Sequence, residues 1–470
     1  MPKIPIDPPI LGGLADSKYY GVAGSMHELV GIDLHSKPGV MRAQYKMLKE
    51  SGTTVDAPVH VILPCSDGNT YLFSSTTGKV WKRTSAGVYS LVYTTVPGAG
   101  AGDAGCKGAF EYNGYIYYAT QSRLHRTLVS NPFAAVDLNW ATFTATDSAY
   151  HPMVILNNVL YIGDGRYVAQ VDNVTFLATA LDLKTPFRIT SLGTYYTDLL
   201  IGTYIADNVN RSTLYRWNTW STSWSSEDTI EEIGIWAFLR IDNLTVAACG
   251  YSGNLYAYDG NQLQPIKNIP GEYTQTARAM VNTYAVANIH GIPVFGFSQV
   301  EGNPAKFGIY SYGGKNPSFP RILNFDYPII PSSAIVTTNL KVYSLAVVGI
   351  TLLAAWYDGT NYGVSKLDYT ARCPGAYATT RVVNVNREKI SSIKKIIADF
   401  ETCPASCSIA VSYSYNHGDF SDGTDTVKDA TRKQFYVNKT LQCNTMQAKI
   451  AFTSSGANTV EVEDINIMTE

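Results

Sequence analysis

Three of the chain's seven tryptophans fall within eight residues, WNTWSTSW, as Trp217, Trp220 and Trp224. Exposed, such rings suit stacking on a carbohydrate or burial in a protein interface; packed between sheets, they are core. They are the one candidate interaction surface that composition marks. Carboxylates are the next chemical resource. Asp103, Glu111, Asp164, Asp172, Glu227, Asp228, Glu231, Glu232 and Asp259 all fall near turns, where two of them could serve as acid and base on a glycosidic bond. No spacing singles out a pair. The run SSEDTIEE at 225–232 reads as a solvated acidic loop, with a Ca²⁺ turn as the alternative, since Ca²⁺ loops need alternating oxygen ligands.

Other chemistries leave weaker traces. Cys403 and Cys407 stand as C-x3-C, with Cys443 further on, but zinc asks for four ligands and no histidine pair accompanies them. The histidines at 27, 35, 60, 125, 151, 290 and 417 are scattered. The glycine-rich GAGAGDAG at 98–105 is not framed by strand and helix as a dinucleotide loop would be, and reads as a linker. SSTTGKVW at 74–81 has the Gly and Trp of the Asp box (S-x-D-x-G-x-x-W) of sialidase propellers but lacks its Asp. No catalytic, cofactor-binding or metal-binding residue is therefore assigned, and a non-enzymatic protein is expected.

Bulk properties narrow the partners. The chain has 470 residues, 16% charged and 12% aromatic, with 33 tyrosines and a net charge of −2. Soluble domains usually carry about 25% charged residues. Low charge with abundant tyrosine suits β structure and contact surface. With no basic field, sequence-specific nucleic-acid binding is disfavoured, though a conduit for DNA is not. Seven dispersed cysteines read as reduced thiols. The N-terminus lacks an apolar leader core and no run of about 18 apolar residues occurs, so no membrane span is expected and folding in a cytosol is.

The elements that must position these groups are strands. Val59–Leu63, Thr70–Ser75, Lys79–Thr84 and Tyr89–Thr94 are four short β runs broken by turn residues. The layout repeats, and its first corner recurs as SDGNTYLF, EYNGYIYY, LNNVLYIG, YYTDLLIG, IDNLTVAA, IHGIPVFG and VVGITLLA. A four-stranded meander recurring every 35–55 residues is the period of a propeller blade. Seven blades are counted; six or eight stay open, because 205–235 and 265–285 are irregular, and two separate sandwiches are the competing architecture. The expected fold is all-β: an N-terminal arm (1–57), a β-propeller (58–380) and a C-terminal β-sandwich (381–470). A capping box at Ser25–Glu28 suggests one short helix, and residues 40–50 read as helix or equally as an extended strand or arm.

An arm carrying HSKPGVM, a tyrosine-rich propeller and a terminal KIAFTSSGANTVEVEDINI together resemble phage virion proteins, most closely the nozzle (tail-hub, packaged-DNA-stabilising) proteins of short-tailed bacteriophages. The resemblance implies a homo-oligomeric ring, typically sixfold. Its partners would be adaptor, portal and fibre proteins, and DNA would pass it without sequence specificity. It also implies a location in the virion after synthesis in the host cytoplasm. It carries over no functional residue. A receptor- or glycan-binding propeller, glycan-cleaving or not, is the alternative, and a scaffold propeller of bacterial origin a third.

Overall fold

The computed structural model describes residues 3–5, 10–94, 105–205, 209–241, 244–314, 321–384, 391–400, 403–426 and 432–469. The linker at 98–104, with Asp103, and the Asp242-Asn243 corner lie outside them. Among the described residues every regular element is a strand. They divide into two compact units: residues 49–307 with 338–366, and residues 1–48 with 308–337 and 367–470. These limits fall elsewhere than residues 57 and 380.

The first unit is a β-propeller. Blade 1 consists of Val59–Pro64, Thr70–Ser74, Lys79–Arg83 and Tyr89–Thr94, each strand antiparallel to the next. Blades 2 to 5 repeat this four-stranded meander, beginning at Gly108, Met153, Phe187 and Ile235. Two further sheets contribute the hairpin Arg278–Ile289/Ile292–Glu301 and the strands Lys341–Val348 and Thr351–Tyr357, the latter paired with the start of Tyr362–Arg372. The first strand of each sheet packs on the first strand of the next, and Lys341–Val348 packs back on Val59–Pro64. The ring therefore closes at seven blades.

Burial falls outward along each blade. Thr70–Ser74, Tyr115–Ala119 and Val159–Asp164 are buried almost throughout, whereas the fourth strands, such as Tyr89–Thr94, are half exposed or more. A strand covered on both faces has no polar side to show, so its sequence is continuous rather than alternating. Apolar clusters lie between successive blades. Leu72 and Trp81 meet Leu353 and Val364, while Tyr71 and Phe73 meet Ile116 and Tyr118. The corner EYNGYIYYA is one of the turns that set this register. Asn113 and Gly114 take φ of 49° and 79°, the left-handed pair of a type I′ turn. Asn157 and Asn158 do the same at 51° and 60°.

The second unit holds two antiparallel sheets. One pairs Met26–Val30, Tyr377–Thr380, Thr445–Thr453, Ser408–Tyr415 and Ser421–Thr426 in that order, and the other pairs Lys3–Pro5, Val462–Thr469, Ser391–Phe400 and Arg432–Cys443. From Ser391 onward the chain passes between the sheets four times, the topology of a sandwich. Two expectations are corrected. Residues 1–57 are no surface arm, because Met26, Leu29, Val30, Ile32, Met41 and Met47 are core. Tyr377–Thr380, inside the expected propeller range of 58–380, is no blade strand, because it joins the sandwich sheet.

The Ser25 capping box also gives way to a strand, Met26–Val30. Ser25 Oγ donates to the Val22 carbonyl at 2.6 Å instead of capping a helix. Residues 40–50 form the strands Arg42–Ala43 and Tyr45–Lys49.

One isoleucine pair tests this burial gradient. Ile201, fully buried in blade 4, replaced by alanine should lose about 2–5 kcal/mol in urea unfolding. Ile155→Ala, at a residue 37% exposed, should lose under about 1 kcal/mol.

Candidate functional site

The propeller axis is where the most unusual side chains converge. The first strands surround it, and their starting ends share one face with the second-to-third-strand turns and the links between blades. Tyr284 of blade 6 donates its hydroxyl to the His151 carbonyl at the entry of blade 3, at 2.6 Å. Those blades stand on opposite sides of the ring, so the side chain crosses the axis. His60 of blade 1 lies edge-on to the same Tyr284 ring at 5.9 Å, and Tyr343 of blade 7 is 6.3 Å from His60. The axis is thus plugged by aromatic rings, and the propeller alone is no conduit. Burial of His60 drives its imidazole to about 4, with the Lys107 charge adding to the effect.

His151 itself is sealed. Its Nδ1 is 2.8 Å from the Gly163 carbonyl oxygen and its Nε2 is 3.1 Å from that of Gln121, with the ring stacked on Phe143 at 4.1 Å. Nearby Asp164 accepts from the Thr144 and Ala145 amides and from Ser148 Oγ. Burial lowers His151 and raises Asp164, each opposed by the attraction between them. The pair is structural, because no solvent reaches either group: both are 0% exposed.

Beside the plug, on the same face, Trp236 is the centre of an aromatic group. Tyr251 stacks on it at 5.3 Å and 17°, Tyr204 lies at 5.6 Å and Tyr150 meets it edge-on at 5.9 Å. The Arg278 guanidinium lies 5.1 Å over Tyr251 and pairs with Glu301 at 3.0 Å. Arg188 pairs with Asp147 at 2.8 Å. The Trp236 indole N–H is buried without an acceptor in the protein. An unmet buried donor costs about 1–3 kcal/mol, so this arrangement is one that a polar partner would relieve. Its parts come from blades 4, 5 and 6 and from the link into blade 3, which is why no spacing in the sequence joins them.

The three marked tryptophans separate. Trp217 is 2% exposed and donates to the Ser221 carbonyl at 2.8 Å; it packs edge-on to Tyr161. Trp224 is half-buried against Tyr215, with the Lys184 ammonium 5.3 Å over its ring. Trp220 alone is a surface residue, 85% exposed. Asn218 fixes that loop by accepting from the amides of Trp220 and Ser221 at 3.0 Å each. Of the three, only Trp220 is exposed enough to meet a partner, and Trp217 and Trp224 are packing.

Besides Asp164, four more of the candidate carboxylates are held locally. Glu111 takes the Ser66 amide at 2.7 Å, Asp228 the Leu263 amide at 2.6 Å, and Asp259 the amides of Asn261 and Gln262. Glu232 holds Asn254 at 2.6 Å and Tyr256 at 3.1 Å, and burial raises its carboxyl above the usual range. The seven cysteines are free thiols, and burial pushes Cys106 and Cys373 up to about 12. Within the sandwich unit, Ser311 Oγ lies 2.7 Å from His35 Nε2, a nucleophile-and-base distance that a separation of 276 positions in sequence conceals. Ser311 is 1% exposed, so a substrate does not reach it and the contact is a core hydrogen bond.

No family model matches the chain, and no curated protein is significantly similar to it. Among solved structures, a streptogramin B lyase is 11% identical over 69% of this chain and 98% of its own, with a TM-score of 0.47. The Neurospora crassa Pan2 WD40 domain is 9% identical over 70% and 97%, with a TM-score of 0.42. The extracellular domain of a putative one-component system from B. thetaiotaomicron is 13% identical over 84% of this chain and 47% of its own, with a TM-score of 0.45. The propeller assignment rests on strand pairing and ring closure, and no activity is transferred from these proteins.

The axial plug should be pH-sensitive. His60 is held near 4 in the folded chain against an ordinary value of about 6.5. The unfolded chain therefore binds the extra proton between those values, and stability falls as pH drops through that window. The loss attributable to this group is on the order of 3 kcal/mol. Urea midpoints from pH 7 to pH 4 should fall less steeply for His60→Gln than for the parent; parallel slopes would remove His60 as the cause.

Proposed function

We propose that the chain is a non-enzymatic structural subunit that acts by docking through one face of its propeller. The observation that carries this reading is the placement of exposed apolar side chains. Val88, Val174, Tyr196, Trp220 and Ile350 are 56–85% exposed and occupy first-to-second or third-to-fourth strand corners. In a closed ring of meanders these corners share one face, opposite the aromatic mouth. Val209, 42% exposed, is the counterpart on the mouth side. A cleft of about 430 Å³ bordered by Phe238, Arg240, Val286 and Pro293 adds a recess among the same corners. Apolar tips this exposed to water suit burial in a partner.

The partner is a further copy of this chain in a ring, and the virion is the assembly that the sequence resemblance supports, with a nozzle-like position among tail components. A plugged axis agrees with this: any passage for DNA would run between ring subunits and not through each propeller. The near-neutral charge suits a conduit wall that does not grip DNA.

Mass photometry of the purified protein should show a discrete oligomer several times 51.4 kDa, and particle composition should place the chain in virions. The double variant Tyr196→Ser/Trp220→Ser should shift the population to monomer with its unfolding midpoint unchanged. A parent protein that stays monomeric and is absent from particles would overturn the reading.

A further inference from the structure

We infer that the aromatic mouth of the propeller, formed by Tyr150, Tyr204, Trp236 and Tyr251 with Arg278, is a binding site for a neutral saccharide. This goes beyond docking, and it uses the opposite face. Three features argue for it.

The first is convergence. Tyr150 precedes blade 3, Tyr204 ends the second strand of blade 4, Trp236 opens blade 5, and Tyr251 sits in a turn of blade 5. Arg278 opens blade 6. Residues from four successive stretches of chain meet only because the ring brings their starting ends to one face. The Tyr150–Trp236 contact passes over blade 4, which places it near the axis.

The second is unmet hydrogen bonding. The Trp236 indole N–H is buried without an acceptor, and the hydroxyls of Tyr150, Tyr204 and Tyr251 bond no other described residue, which leaves them open to a ligand. Burial, with Tyr251 and Tyr204 close by, holds the Tyr150 phenol well above its usual range. These groups offer O–H and N–H donors and phenol acceptors together. A polyol matches that set, because each of its hydroxyls both gives and takes a hydrogen bond.

The third is charge balance. Arg278 is paired with Glu301 and Arg188 with Asp147, so each of these guanidinium groups already stands beside a carboxylate. An anionic ligand would meet both carboxylates, and a cation both guanidinium groups. The half-buried Tyr204 and Tyr251 rings add faces on which the C–H side of a pyranose can stack.

The test uses the full chain with methyl hexopyranosides, maltohexaose, cellohexaose, xylohexaose and chitohexaose, followed by tryptophan fluorescence and saturation-transfer NMR. At least one neutral sugar should give a saturable signal. Tyr251→Ala should weaken it about tenfold, as expected for loss of a stacking ring. Tyr251→Phe, which keeps the ring and loses the hydroxyl, should fall between, and Trp220→Ser on the other face should leave it unchanged. Circular dichroism and unfolding midpoints exclude misfolding as the cause. No saturable signal with any of these sugars would overturn the inference. So would binding that tracks Trp220 instead of Tyr251, or stronger binding to sialyl or sulfated controls.

Discussion

A four-stranded meander has two faces and, alone, can cover neither. Everything else in the propeller follows from how that deficit is met: each blade covers the next, and the seventh covers the first. Strands near the axis are then covered on both sides, which is why Leu72, Ile116, Leu160 and Leu199 are 0% exposed. Full burial of such a side chain contributes about 1.5–3 kcal/mol. The approach is close enough that side chains must be absent at points of contact. A Cβ on Gly163 would stand 2.7 Å from an Ile189 methyl in the neighbouring blade, and one on Gly202 would stand 2.8 Å from the Ile235 carbonyl. Those glycines serve space, since neither has a positive φ, whereas Gly114 serves the turn.

Ring closure also divides the surface. All first strands run the same way, so every first-to-second corner lands on one face and every inter-blade link on the other. A hairpin tip is thereby assigned to a face by its place in the meander, before any side chain is considered. Apolar tips gather on one face and aromatic rings with polar ends on the other. The two faces meet at an axis filled by Tyr284, His60 and Tyr343, so neither is reached through the other.

The repeat was legible in the sequence because turn chemistry and burial both leave local marks. Asn-Gly and Asn-Asn at 113–114 and 157–158 announce left-handed turns, and runs such as TYLFS and YIYYA announce strands without a wet side. Blade 1 accordingly matches its expected runs to within one residue at each end. Where long-range pairing decides, the local signal misleads. YATT reads as one more blade strand, but pairing with Met26–Val30 and Thr445–Thr453 claims it. Ser25 and Glu28 have the types and spacing of a helix cap, yet Met26, Leu29 and Val30 are needed in a sheet core, and tertiary burial outweighs a cap of about 1 kcal/mol. Trp217, Trp220 and Trp224 are adjacent in sequence but go to core, surface and an intermediate shell. The aromatic mouth shows the converse: it is assembled from Tyr150 to Arg278, and no window of the sequence contains it.

Tyrosine abundance gains its meaning from where the hydroxyls end. Tyr112 donates to the Asn158 carbonyl at 2.8 Å, Tyr258 to Gly260 at 2.9 Å, Tyr273 to Ile269 at 2.9 Å and Tyr284 to His151 at 2.6 Å. Each is a ring in an apolar seam whose polar tip is tied to a backbone carbonyl, the usual solution for a buried phenol. The buried indoles of Trp217 and Trp356 are tied likewise, to Ser221 and Ser365. Around Trp236 the pattern stops: an indole N–H buried to the same degree has no tie. A buried N–H without an acceptor costs desolvation and returns nothing until a ligand supplies one. The Trp236 mouth also differs from the seams in gathering rings from separate blades around that donor, beside two charge pairs.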